Sequence, residues 1–179
     1  MTFAALQPLA DRAALFSALR QDSLATALED LGDNRWDADM AAGTLTFTSN
    51  ADSARQLVTR AHLVATIAPG PRSLLWAWAH PQGDPAGVAA QLRDYGVQHG
   101  IVELSETELP FPADAAGDAE WIAAAAHTVG TVAVELTGRA PYYLAPVGGG
   151  TYAVFLLDAP LPPLTVCLLY TSPSPRDRQ

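Results

Sequence analysis

From Pro8 to Leu31 apolar residues recur at three- and four-residue steps: Leu9, Ala13, Phe16, Leu19, Leu24, Ala27, Leu28 and Leu31. Asp11, Arg12, Gln21, Asp22 and Glu29 fall between them. That spacing predicts an amphipathic helix, and Gly32 stands where a helix-ending glycine belongs. The period then drops to two. Arg35-Trp36-Asp37-Ala38-Asp39 and Thr44-Leu45-Thr46-Phe47-Thr48 flank a connection containing Gly43, the pattern of a β-hairpin. Arg55 to Ile67 predicts a long strand with Leu57, Ala61, Leu63, Ala65 and Ile67 on one face and Arg60, His62 and Thr66 on the other. After the turn Ala68-Pro69-Gly70-Pro71-Arg72 comes Ser73 to His80, apolar on both faces. Such a run fits an interior strand, and the pattern makes it the central strand, its tryptophans structural.

Asp84-Pro85 reads as a helix start, with Val88, Leu92, Tyr95 and His99 as the inner stripe and Gly100 as the end. A short apolar segment, Ile101 to Leu104, leads into an acidic loop. Between Asp118 and Thr137 two periods compete. Val132, Val134 and Leu136 alternate, but Ile122, Ala125, Val129, Ala133 and Leu136 keep the helical step and Gly138 follows. The helix is preferred, with Gly130 its weak point. Pro141 to Ala145 and Thr151 to Leu157 flank Val147-Gly148-Gly149-Gly150 as a second hairpin. The sum is an α+β fold: an antiparallel sheet of about five to six strands, meander plus C-terminal hairpin, packed with three helices.

A chain of 179 residues is long enough for one domain with a real core, and residues 1–166 are expected to form it. Residues 167–179, from Cys167 to Gln179, break the style of the chain. They resemble a translated adapter-like read-through and are set aside as a disordered tail. A domain cut near Val166 would leave bare whatever apolar surface a following segment covers, with poor solubility as the expected cost.

Composition removes several chemistries. The ten basic residues are all arginine. Without lysine there is no Schiff base, no pyridoxal-phosphate attachment and no phosphate-loop lysine. A formal charge of −9 opposes binding to nucleic acid or to an anionic membrane. Cys167 is the only cysteine, so no intramolecular disulfide or cysteine-rich zinc site is possible. With no long apolar run and no basic N-terminal flank, the expected location is the cytoplasm.

Several stretches together resemble a bacterial domain family of unknown function, DUF6882. They are Trp36-Asp37 with Gly43-Thr44-Leu45-Thr46-Phe47, Trp76-Ala77-Trp78-Ala79, Leu92-Arg93-Asp94-Tyr95-Gly96, and Tyr142-Tyr143 with Gly149-Gly150. The resemblance spans roughly residues 10–166. It departs at His80, where an asparagine is expected, and at the missing C-terminal continuation. It implies a small α+β bacterial domain and no particular reaction.

The candidate chemistry is sparse. His62, His80, His99 and His127 lie on four different elements with no short ligand spacing, so neither metal nor cofactor is expected. Asp37 and Asp39 share a strand face, a carboxylate pair more often found starting a turn. Gly148-Gly149-Gly150 is a turn rather than a phosphate loop, and no Gly-x-Ser-x-Gly or His-Glu-x-x-His is present. Tyr142 and Tyr143 point to opposite faces, one toward core and one free to line a groove. The leading expectation is a non-catalytic module binding an unknown small molecule or protein in a groove near Trp36, Asp37, Trp78, His80, Tyr142 and Tyr143. The alternative is a hydrolase-like enzyme using His80 with Asp37 or Asp39.

Overall fold

The computed structural model describes residues 3–162 and the backbone of 165–166; the expected tail at 167–179 lies outside the described residues. Its elements are α1 (Gln7–Leu31), β1 (Asn34–Asp39), β2 (Thr44–Ser49), β3 (Arg55–Ala68), β4 (Ser73–Trp76), α2 (Val88–His99), α3 (Val102–Ser105), β5 (Glu108–Pro110), α4 (Ala119–Thr137), β6 (Tyr142–Gly148), β7 (Thr151–Leu157) and β8 (Thr165–Val166).

The 14-residue β3 organises the sheet. One of its edges receives β2 along Gln56 to Arg60 and β4 along Ala65 to Ala68. The other receives β7 along Ala61 to Ile67 and β8 at Arg55 and Gln56. β1 extends the sheet beyond β2, β5 beyond β4 and β6 beyond β7, and every pairing is antiparallel. The expected α+β architecture is observed, with the meander as β1–β2–β3 and the C-terminal hairpin as β6–β7, although the described residues form eight strands and four helices where five to six and three were expected.

The central position belongs to β3, however, and not to the tryptophan stretch. That stretch is a strand only over Ser73–Trp76. Beyond it the Ala77 N–H donates to the Val64 carbonyl (2.8 Å), and turns follow through Ala79, His80 and Gly83. Trp76 is fully buried and its indole N–H donates to the Glu103 carbonyl at 3.0 Å. The anticipated structural role fits Trp76, while Trp78 sits on the turn.

A one-residue irregularity in β3 decides which side chains go where. Leu63 pairs with Phe155 but Ala65 pairs with Val154, so Val64 is extra. Because side chains alternate, one inserted residue exchanges the faces. Leu57, Ala61 and Leu63 join a core with Leu45, Phe47, Phe155 and Leu157, whereas Ala65 and Ile67 join a second core with Leu74, Trp76, Val154 and Leu156. The single face expected for these five residues is therefore divided at the bulge.

α4 covers the face bearing Trp76 and Val154, with Val129, Val132 and Ala133 fully buried there. Asp118 caps its start by accepting from the Trp121 N–H (2.8 Å), and Gly138 ends it in the left-handed conformation. α2 begins later than Asp84-Pro85 suggested, at Val88. Asp84 instead closes a turn, its carboxylate accepting from the Ala86 N–H (2.9 Å).

α1 links the two cores. Its inward residues are Leu9, Ala10, Ala13, Ser17, Leu24 and Leu31. Leu9 and Ala10 meet the α4 core, and Leu24 and Leu31 the other. Phe16 and Leu19, expected in the inner stripe, point outward, 42% and 63% exposed beside Leu15 at 75%. Ser17 takes the seam position between Ala10 and Leu24, seven residues from each, and carries the inward face past the outward pair.

Candidate functional site

Asp158 follows the last residue of β7, and its backbone is fixed before its side chain acts. The Asp158 N–H donates to the Arg60 carbonyl (3.1 Å), and the Leu157 N–H to the Pro141 carbonyl (2.8 Å). Its carboxylate then receives three basic side chains. Arg139 donates through Nη1 to Oδ1 at 2.7 Å, His62 through Nε2 to the same oxygen at 2.9 Å, and Arg60 Nε lies 3.9 Å from Oδ2. A carboxylate only accepts, so the His62 proton facing it is on Nε2.

Three elements converge to place these groups. His62 and Arg60 alternate with the apolar positions of β3 ahead of the bulge. Arg139 follows the left-handed Gly138 that ends α4, its N–H donating to the Thr137 hydroxyl (3.2 Å). Burial works to raise the Asp158 pKa, but the hydrogen bond and charge of His62, joined by Arg139, outweigh it and hold the carboxyl below its ordinary value.

Beside this cluster opens a cleft of about 500 Å³ lined by Phe16 and Arg20 of α1, Gly138 to Ala140, and Asp158 to Pro160. The Arg20 guanidinium lies over the Phe16 ring, 5.1 Å from its centroid. No carboxylate pairs with Arg20 among the described residues. Arg20 and Arg139 against Asp158 give the cleft lining a formal excess of one positive charge in a chain of net −9, with Arg60 nearest the other oxygen of the Asp158 carboxylate.

His62 also lines a second cleft of about 360 Å³, in the gap that β2 and β4 leave along the edge of β3. Asp39 to Thr44 forms one wall and Gln82 to Asp84 with Gly87 and Val88 another. Among the described residues no group of three His, Cys, Asp or Glu side chains could hold a metal ion.

The residues singled out from sequence lie in separate places. Trp36 meets Tyr143 edge-on (centroids 6.4 Å apart), and Tyr143 meets Phe47 in the same way (4.8 Å). Burial raises the Tyr143 pKa. Asp37 is exposed beside Trp36 on β1. Asp39 accepts from the Ala42 N–H (2.8 Å) and so closes the β1–β2 turn.

Trp78 packs on the α4 core, with Arg93 5.5 Å above its ring. Its buried indole N–H has no hydrogen-bond partner among the described residues. His80 Nδ1 accepts from the Gln82 N–H (3.1 Å) within the following turn. Tyr142 is buried on the face opposite Tyr143 and lines a groove of about 310 Å³ between α1 and α4. Its hydroxyl lies 2.8 Å from His127 Nδ1. Burial raises the Tyr142 pKa, partly offset by a hydrogen bond with Thr131, and burial lowers that of His127. Trp36 and Tyr143 are thus brought together, whereas Trp78 and Tyr142 pack in the other core.

Sequence reasoning gave no site role to Asp158, Arg139 or Arg20. It noted Arg60 as a polar position on a strand, and His62 both there and among four histidines without ligand spacing, although these two basic residues on one strand face were the one available signal.

A family model described as "Family of unknown function (DUF6882)" matches residues 7–160. The chain belongs to DUF6882. No curated protein and no solved structure matches it. The DUF6882 match begins with α1 and ends at Pro160, so every residue lining the Asp158 cleft lies within it. No helix among the described residues of this DUF6882 chain is long and apolar enough to cross a membrane.

Proposed function

We propose that this domain is a non-catalytic binding module whose ligand presents an anionic group to the Asp158 cleft. The observation that carries this reading is a cleft lined by Arg20 and Arg139, in which Asp158 pairs with Arg139 and Arg60 while Arg20 has no carboxylate partner among the described residues. Asp158 fixes the direction of Arg139 through a 2.7 Å bond, and Phe16 supports the Arg20 guanidinium. Guanidinium groups held in place match a carboxylate or phosphate in two-pronged fashion and lose little entropy on binding it. The hydrolase-like alternative has less support. His80 and Asp39, two of its residues, already accept hydrogen bonds from their own turns.

The Trp36–Tyr143 pair serves packing in this reading. A bacterial, cytoplasmic setting fits a chain with a single cysteine and an acidic balance.

Thermal melts of the full chain with inorganic phosphate, acetate, benzoate and phenylphosphate, against chloride at equal ionic strength, test the cleft. Binding to the folded state raises the melting temperature with ligand concentration. The expected result is a rise with benzoate or phenylphosphate that Arg20→Ala and Arg139→Ala each abolish. A rise unchanged in both variants, or none with any of the four anions, would overturn the reading.

A further inference from the structure

Leu15 and Leu19 stand one helical turn apart on the outer face of α1, with Phe16 beside them. They are 75%, 63% and 42% exposed. Large apolar side chains gathered on one exposed helix face mark a contact surface more often than scattered ones do. The patch is continuous with the Asp158 cleft, because Phe16 and Arg20 belong to α1 and also line the cleft.

We propose that the ligand of this cleft is an acidic peptide segment of another protein, its carboxylates meeting Arg20 and Arg139 while its aliphatic or aromatic side chains lie on Leu15, Phe16 and Leu19. This inference rests on the cleft reading and names the ligand class. Two lines of argument select that occupant. The first is extent: Leu15 to Arg20 spans roughly 8 Å of helix axis at about 1.5 Å per residue, with the cleft beyond. A ligand covering both is longer than a single small anion and needs alternating apolar and anionic groups.

The second is charge. A second copy of this chain carries the same net −9 and is repelled over most of its surface. An anionic bilayer is disfavoured on the same grounds, since the local excess of positive charge is small against the whole. A short acidic segment reaches the arginines without bringing a large like-charged body close.

Selection of a displayed random peptide library on the full-length chain tests the proposal, followed by fluorescence anisotropy on the enriched peptides. Enriched sequences should combine Asp or Glu with Leu, Ile or Phe. Leu15→Glu with Leu19→Glu, and separately Arg20→Glu, should each weaken their binding at least tenfold, while melting temperatures stay close to the parent because all three side chains are solvated.

Peptides that need Arg20 but ignore the double leucine variant would overturn the peptide assignment and leave the anion cleft standing. Peptides that need the leucines but ignore Arg20 and Arg139 would sink the cleft reading. Enrichment of neutral or basic sequences, no enrichment at all, or binding instead to phosphatidylglycerol vesicles in co-sedimentation would each refute the acidic-peptide partner.

Discussion

The side-chain amide of Gln21 holds both backbone polar groups of Tyr142. Gln21 Oε1 accepts from the Tyr142 N–H at 2.8 Å, and Gln21 Nε2 donates to the Tyr142 carbonyl at 2.9 Å. Among the described residues β6 pairs only with β7, so Tyr142 lies on a sheet edge. One glutamine from α1 supplies the donor and acceptor that a further strand would have supplied, where the helix crosses between the two cores. Gln21→Ala strands both groups in a partly buried site and should cost about 1–3 kcal/mol. Chemical denaturation would show this as a lower midpoint at unchanged slope. A midpoint equal to the parent's would mean that water replaces the amide without loss.

Gly130 gives a prediction of opposite sign to the general rule. Glycine inside an exposed helix usually costs about 1 kcal/mol relative to alanine. Here a Cβ on Gly130 would lie 2.5 Å from Cδ2 of the buried Tyr142 ring. Gly130→Ala should therefore destabilise, by about 1–3 kcal/mol as overpacked cores do. Combining it with Tyr142→Ala should remove that added penalty, leaving the double variant no less stable than Tyr142→Ala alone. Equal penalties in the two backgrounds would place the cause elsewhere than the ring.

The charge cluster makes a pH-dependent prediction. Asp158 titrates below its ordinary value in the folded chain, so the unfolded chain takes up its proton first as the solution is acidified. The stabilisation is present above the unfolded pKa of about 3.9 and is lost as pH falls through the lower folded value. In melts from pH 5 down to pH 2, Asp158→Asn should lower stability most at the upper end and converge on the parent at the lower. The carboxylate is 35% exposed, and high salt should shrink the difference. Parallel curves for parent and variant would show that the ion pairs contribute nothing.

Much of the fold was legible because it is set by neighbours in sequence. Asp118 and Gly138 bracket α4, and Gly138 is left-handed as a helix-ending residue needs to be. The β1–β2 and β6–β7 hairpins follow from alternation around glycine-containing turns. The tryptophan stretch misled because an apolar run of that length has no period to separate strand from buried turn. Only Ser73 to Trp76 pairs as a strand, with β3 and β5, before Ala77 makes one more bond to β3 and the chain turns away.

The site was far less legible. Phe16 and Arg20, Arg60 and His62, Arg139, and Asp158 come from four separated parts of the chain, and no local spacing connects them. His80 stood out at the end of an apolar run and Asp39 as half of a carboxylate pair with Asp37, yet each is spent on a turn of its own.

The sequence by itself determined the fold class, the C-terminal ends of α1, α2 and α4, the two hairpins and the exclusion of lysine chemistry, since each rests on residue type or on spacing within one element. Tertiary structure alone decided the face switch at Val64, the outward turn of Phe16 and Leu19, and the meeting of Arg60, His62 and Arg139 at Asp158. Those depend on pairing between distant strands and on which helix face finds a core. A bulge is defined only by the partner strand that fails to match it.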